Sequence, residues 1–246
     1  MLMDRQIADK LIAWAERYDN PRYFEEDPIA FPRRFYSMMT TNQPVLGFDG
    51  GEWRPSLQDV EIAAVFAAHF AWGRRAMIVR DCSRLFDEMM WRPYDYVMAG
   101  DWRNDDTSIH RTIKWSEVAA ICRRLRDYYS AAGSLEALSA EETRVRIYGQ
   151  KADPKAANKK IWMMRRWFVR DDGLVDMGLW KNSGKRDLVI PLDVHVYRQA
   201  SELGLTHRRA KDIVTAREIT DAFREIFPDD PVKGDFALFG YGVNNA

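Results

Sequence analysis

A chain of 246 residues, 46% hydrophobic and 30% charged, has the balance of a globular protein able to bury one large core or two packed lobes. Its 37 basic and 37 acidic residues cancel, so any anionic partner must be met by a local patch rather than by the charge of the whole molecule. No run approaches the roughly 18 apolar residues needed to span a bilayer, and the opening Met-Leu-Met-Asp-Arg-Gln lacks the basic-then-apolar order of a signal peptide. Cytoplasmic residence without membrane contact is the expectation. Cys82 and Cys122 both fall in helix-like apolar patterns and belong to no Cys-x-x-Cys pair. Buried free thiols are therefore expected, with no metal site, iron–sulfur cluster or other cofactor.

In chain order, Ile7, Leu11, Ile12 and Trp14 have helical spacing. Residues 19–56 are rich in Pro, Asn, Gly and aromatics and read as irregular chain that wraps over the body or borders a site. Residues 57–70 are apolar nearly all round, which predicts a central buried helix. Gly73 interrupts it, and a second helix carries Ile78, Cys82, Leu85, Phe86 and Met89 on one face. Pro93 opens a short helix, and 100–112 reads as polar loop. Ser116 reads as the cap of a helix running to about Ala132, with Gly133 in the stop position.

Ser139 and Glu142 form a capping-box signature. Asp153 followed by Pro154 predicts a helix from Pro154 to about Arg170. The stretch Val189-Ile190-Pro191-Leu192-Asp193-Val194-His195-Val196-Tyr197-Arg198 reads as an extended approach, a proline, and an aspartate capping a helix that Gly204 ends. Thr215 with Glu218 suggests a second capping box, for a helix that stops before Pro228, and Asp230-Pro231 starts the last helix. Strand-like alternation is nearly absent. The expected fold is all-α, with about ten helices and no internal repeat.

One segment departs from neutrality. Between Arg144 and Arg186 twelve basic residues face four acidic ones, a net +8. On the expected 154–170 helix, Lys155, Lys159, Arg166 and Arg170 project within about 60° of one another at about 100° per residue, opposite Ala157, Ile161, Met164 and Phe168. That basic face is a candidate contact for a phosphate backbone, an ordinary solvated helix surface being the alternative.

Several segments together resemble a bacterial family known as DUF2400, over nearly the whole chain. They are Asp27-Pro28-Ile29, the runs 59–64 and 68–75, Asn158-Lys159-Lys160 through Trp167-Phe168-Val169-Arg170, and the run 230–240. The Asp193 segment, with Leu203-Gly204-Leu205 after it, also resembles the catalytic-aspartate segment of the helix-hairpin-helix (HhH-GPD) DNA glycosylases, to which that family is related. The resemblance implies a two-lobed helical fold with a central cleft. One lobe would span about 57–192, and the other about 1–56 plus 193–246. It implies a monomeric DNA-repair glycosylase-like enzyme, with or without lyase activity, that flips a modified purine out of duplex DNA and excises it.

In that reading Asp193 is the catalytic carboxylate, and Lys159 or Lys160, 34 and 33 residues upstream, would be the lyase nucleophile. Lys159 shares its face with the other basic residues and with Trp162 and is preferred, whereas Lys160 lies nearer the apolar side. His69, Phe70 and Trp72 would face the extruded base or the vacated stack, with core packing as their alternative. Asp235 and Phe239, one turn apart, would accept hydrogen bonds from a purine edge and stack on it, or be a surface acid and a core ring. His195 would pack or hydrogen-bond beneath the aspartate. The usual Leu-Pro-Gly-x-Gly hairpin is replaced by Tyr148-Gly149-Gln150-Lys151-Ala152-Asp153-Pro154-Lys155. Phosphate anchoring by backbone amides would have to be replaced by the Lys151 or Lys155 side chains, or be absent, with Arg166 and Arg170 contacting the nucleic-acid backbone from the basic helix face. The competing readings are a nucleic-acid-binding protein that has lost catalysis and a protein that binds a free nucleoside or other small ligand.

Overall fold

The computed structural model describes residues 3–41, 45–46 and 52–244. Helix makes up 58% and strand 3%, so the fold is all-α. The chain forms two compact units: residues 1–24 with 153–246, and residues 25–152.

The first unit opens with α1 (Arg5–Tyr18), where Asp4 accepts from the Gln6 and Ile7 amides and Leu11, Ala15 and Tyr18 are buried. The chain then enters the second unit. Its first helix, α2 (Ala30–Thr40), lies inside the stretch expected to be irregular. Pro32 is tolerated because it falls in the first turn, where amides have no helical acceptor, and Phe31 and Phe35, one turn apart, face the interior. Both rings pack on Phe86, at 5.3 and 5.7 Å. Residues 42–44 and 47–51 of the expected loop lie outside the described residues.

Helix α3 (Leu57–Phe70) is the buried helix that its apolar run predicts, begun by a capping box between Ser56 and Asp59. Glu61 within it is fully buried and accepts hydrogen bonds from Tyr129 Oη (2.9 Å), Ser134 Oγ (2.6 Å) and the Leu135 amide. Helix α4 (Arg75–Glu88) buries Ile78, Cys82, Leu85 and Phe86, and α5 (Pro93–Ala99) follows. The expected polar loop contains a short antiparallel pair, Ser108–His110 with Ile113–Lys114. Helix α6 (Trp115–Tyr129) starts before Ser116, whose hydroxyl donates to Asp106 (3.2 Å) instead of capping. The Ser139–Glu142 box forms as expected, at α7 (Ala140–Glu142), which widens into a single π-helical stretch over Thr143–Ile147.

Back in the first unit, α8 (Lys159–Val169) is shorter than the 154–170 helix the sequence predicts. Asp153 Oδ1 accepts from the Lys155 amide at 3.0 Å, closing a turn, and Asn158 adopts φ +48°, the left-handed region that breaks a helix and that Asn tolerates. Three helices complete the unit: α9 (Val194–Glu202), α10 (Ile213–Arg224) and α11 (Lys233–Asn244). The cap of α10 is Asp212, which receives the Thr215 amide, while Glu218 turns away to accept from Thr206. The expected Thr215–Glu218 box is thereby corrected.

The lobe boundary also falls elsewhere than expected, at residue 153 rather than near 192. Val189, Ile190 and Leu192 fill the same apolar cluster as Leu11, Val196, Ala216, Ile219, Phe223 and Leu238, so the 153–192 stretch belongs with the C-terminal helices. Each fully buried aliphatic or aromatic side chain of this kind contributes ~1.5–3 kcal/mol.

Two glycines set how closely α11 can approach its neighbours. A Cβ at Gly240 would stand 2.5 Å from Tyr18 Cβ, and one at Gly234 would overlap the Phe223 ring. We expect Gly240→Ala to lower stability by ~1–3 kcal/mol in urea unfolding; an unchanged midpoint would contradict this packing.

Candidate functional site

Asp193 stands in extended conformation (φ −103°, ψ −175°) at the N-cap of α9. Its Oδ1 accepts from the His195 and Val196 amides, each at 2.8 Å. Both capping bonds use one oxygen. Oδ2 has no hydrogen-bond partner among the described residues and is not enclosed. The cap therefore aims one carboxylate oxygen without consuming it.

Helix α11 brings Asp235 and Phe239 to the same region of the first unit. The Asp235 carboxyl is buried and receives Arg166 Nη1 at 2.5 Å. Burial pushes it up to about 6; Arg166 opposes that rise, Asp193 adds to it, and Lys159 counters. Asp235 thus lies within electrostatic reach of both Asp193 and Lys159. Phe239 is half-buried and meets the His195 ring edge-on, with centroids 6.1 Å apart. His195 Nδ1 is enclosed and has no hydrogen-bond partner among the described residues, which leaves the ring as a packing element beneath the aspartate.

Lys159 and Lys160 form the first turn of α8, both half-buried. Burial lowers the Lys160 ammonium to about 8, and the neighbouring Lys159 charge adds to the shift. A lowered ammonium of this kind is what a nucleophilic amine needs.

Two expected phosphate contacts are corrected. Arg166 and Arg170 are 4% and 1% exposed, and neither can lie on a solvated face. Arg170 donates through Nε to Asp230 (2.9 Å), through Nη1 to Asp176 (2.6 Å) and through Nη2 to Asp19 (3.1 Å). Asp172 Oδ2 lies 2.6 Å from Nη1 as an ion pair, but without hydrogen-bond alignment. Burial opposes the Arg170 charge, but Asp176, Asp230, Asp19 and Asp172 together hold it firmly protonated. The Phe236 ring lies under both guanidiniums, at 4.4 and 4.7 Å. The two arginines do share a helix face, but acidic side chains, not water, cover it.

His69, Phe70, Trp72 and Lys151 belong to the second unit. Phe70 is fully buried and stacks on His110 at 5.2 Å, so it is core rather than base-facing. His69 stacks on Tyr148 at 5.2 Å, and the Arg111 guanidinium covers Trp72 at 4.3 Å. Lys151 is exposed, and its carbonyl accepts from Arg144 Nε at 2.8 Å. Sequence reasoning missed His110, which is fully buried between Asp81 Oδ2 (2.8 Å) and the Trp72 carbonyl (3.0 Å). An isolated His in a polar stretch gives no local signal of partners 29 and 38 residues away. In the expected hairpin, Gly149 adopts φ +64°, and the space a Cβ would take is filled by the Arg124 guanidinium.

Among the described residues, no group of three His, Cys, Asp or Glu side chains is placed to hold a metal, and no helix is long and apolar enough to cross a membrane. Both cysteines are free and buried.

The molecule is thus an all-α protein in which a buried Arg166–Asp235 pair lies within electrostatic reach of a capped aspartate, Asp193, and of Lys159. The chain belongs to the family described as "Protein of unknown function (DUF2400)", whose model matches residues 54–153 and 142–244. No curated protein and no solved structure matches it.

Asp235 and Asp19 both carry carboxyls pushed up to about 6 by burial. A carboxyl that titrates higher in the folded than in the unfolded chain contributes stability that is complete below its ordinary value of 3.8 and is lost as pH rises through about 6. The stability of wild type minus that of Asp235→Asn should therefore decline between about pH 4 and pH 7 in urea titrations. A pH-independent difference would rule out the raised carboxyl.

Proposed function

We propose that the protein is a DNA-repair glycosylase-like enzyme of the helix-hairpin-helix type, using Asp193 to excise a modified purine. The observation that carries the reading is the split use of the Asp193 carboxylate. Oδ1 is held by two amides, Oδ2 is left without a hydrogen bond among the described residues, and both Asp193 and Lys159 lie within electrostatic reach of the Arg166–Asp235 pair. As the glycosidic bond lengthens, positive charge grows on the sugar ring, and a fixed anion stabilises it without having to reorganise. The bonding electrons leave with the base, water adds to C1′ of the sugar, and the proton that this water releases balances the one taken up by the base.

A lyase step needs a neutral amine. With its ammonium lowered to about 8, Lys160 is roughly one-tenth neutral at pH 7. Its lone pair would form the bond to C1′ as the bond to the base breaks, and ring opening would give a Schiff base.

A second reading, binding of a free nucleoside or other small ligand without duplex DNA, is favoured by the Gly149 turn. With Arg124 packed against the one glycine there, that side of the turn is closed to a phosphate.

Asp193→Asn separates capping from charge, because Asn caps a helix about as well as Asp. It should leave folding and duplex binding near wild type and lower base release by at least ~100-fold, a typical loss for one electrostatic group. Release at the wild-type rate would refute the catalytic role.

Borohydride trapping on 8-oxoguanine or abasic duplex should give a covalent adduct whose yield rises with pH around a midpoint near 8 and disappears in Lys160→Ala. An adduct retained in Lys160→Ala but lost in Lys159→Ala would reverse the assignment of the two lysines.

A further inference from the structure

We propose that the loop between α9 and α10, with the 153–158 turn, forms a surface that binds the phosphodiester backbone of duplex DNA alongside Asp193, through Lys155, Arg209 and Lys211. The inference rests on the glycosylase-like reading for the identity of its polyanion and supplies the backbone contact that Arg166 and Arg170 cannot make.

The loop reads Thr206-His207-Arg208-Arg209-Ala210-Lys211-Asp212. Its backbone is tightly held. Tyr197 Oη donates to the Arg208 carbonyl at 2.9 Å, the Arg208 amide donates to Thr206 Oγ1 at 3.2 Å, and Thr215 Oγ1 donates to the Ala210 carbonyl at 2.5 Å. The Ile213 amide donates to the Lys155 carbonyl at 3.0 Å, which ties the loop's end to the 153–158 turn. A rigid backbone loses little entropy when a ligand docks on it.

The charges divide in a consistent way. Arg208 turns inward, donating to Asp212 at 3.0 Å and to Thr215 Oγ1 at 2.9 Å, and Glu218 accepts from Thr206. Asp212 and Glu218 are thus engaged within the loop, and Asp153 on the turn accepts from the Lys155 amide. Lys155, Arg209 and Lys211 are exposed and have no carboxylate partner among the described residues. Elsewhere in the first unit, Arg166, Arg170, Lys185, Arg186 and Arg224 are each paired with aspartate, and the exposed Arg5, Lys10 and Arg217, which have no carboxylate partner among the described residues, lie on helices rather than on two segments tied to each other. In a chain of zero net charge, three cations without a carboxylate partner on two joined segments mark a local positive field.

The surface adjoins the aspartate. Lys211 Nζ lies 4.8 Å from the Tyr197 ring centroid, and the Tyr197 amide donates to the Asp193 carbonyl at 3.0 Å. Tyr197 is thus one turn of α9 beyond Asp193, a rise of ~6 Å. A backbone lying on Lys211 and Arg209 would run past the N-terminus of α9, where the free oxygen of Asp193 is presented.

The test is fluorescence anisotropy of a labelled duplex against the full chain across a salt series. The triple variant Lys155→Gln/Arg209→Gln/Lys211→Gln should bind at least ~10-fold more weakly at low salt, and the slope of log affinity against log salt should shrink by ~2–3, about 0.9 for each phosphate that is no longer neutralised. A control removes the same charge from exposed positions on α1 and should keep the wild-type slope: Arg5→Gln/Lys10→Gln/Arg17→Gln. Matching thermal melts would show that both triples fold. Equal losses in the two triples, or no loss in the first, would overturn the proposal, as would a wild type that binds no duplex. The two readings fail differently. Base release with unchanged binding by the first triple defeats the surface alone, whereas binding that fails only in that triple, with no base released by any form, supports the surface and defeats the catalytic role.

Discussion

The first unit depends on two buried arginines that one helix face delivers to acids from distant parts of the chain. Arg170 reaches Asp19 at the end of α1, Asp176 in the loop after α8, and Asp230 ahead of α11; Arg166 reaches Asp235 on α11 itself. The unit is built from residues 1–24 and 153–246, so these pairs join the two ends of the chain. Burying two guanidiniums is costly, and each must be satisfied in full, because an ion left unpaired there costs ~3–5 kcal/mol. Burial holds the Asp19 and Asp235 carboxyls up to about 6; Asp172 and Asp176 add to the rise at Asp19, and Asp193 adds to it at Asp235.

That network fixes what lies above it. Arg166 holds Asp235, and the field of Asp235 reaches Asp193 and Lys159. Asp193 is set independently, by the two amides at the start of α9. The buried pair and the capped aspartate are therefore two rigid supports, and the lysine pair at the start of α8 completes the group.

Much of this is legible in the sequence, and the reasons for the rest are physical. Capping chemistry is local, so Asp193 and the Ser139–Glu142 box can be read from spacing alone. The uniform burial of α3 follows from an apolar run with no polar face. The start of α8 is misplaced by sequence because Asp153-Pro154 is as good a turn as a helix start, and the left-handed Asn158 decides between them. The fate of Arg166 and Arg170 is invisible there, because a helical wheel gives direction but not what packs against it, and their partners lie up to 151 residues away. The cations of 206–212 without a carboxylate partner do carry a signal, a dense basic run between two helices. It is short, lies outside the larger 144–186 cluster, and is set apart only by which of its charges find partners.

Everything in the proposed chemistry requires that Asp193 present a carboxylate to a sugar extruded from duplex DNA while the Arg166–Asp235 pair beneath it stays closed. The most direct measurement is a crystal structure of the Asp193→Asn protein bound to a duplex carrying 8-oxoguanine. The expected result is an extruded nucleotide with its C1′ between the substituted side chain at 193 and Lys160, and Arg166 still bonded to Asp235. DNA bound away from α9, or Arg166 released from Asp235 to contact a phosphate, would contradict it.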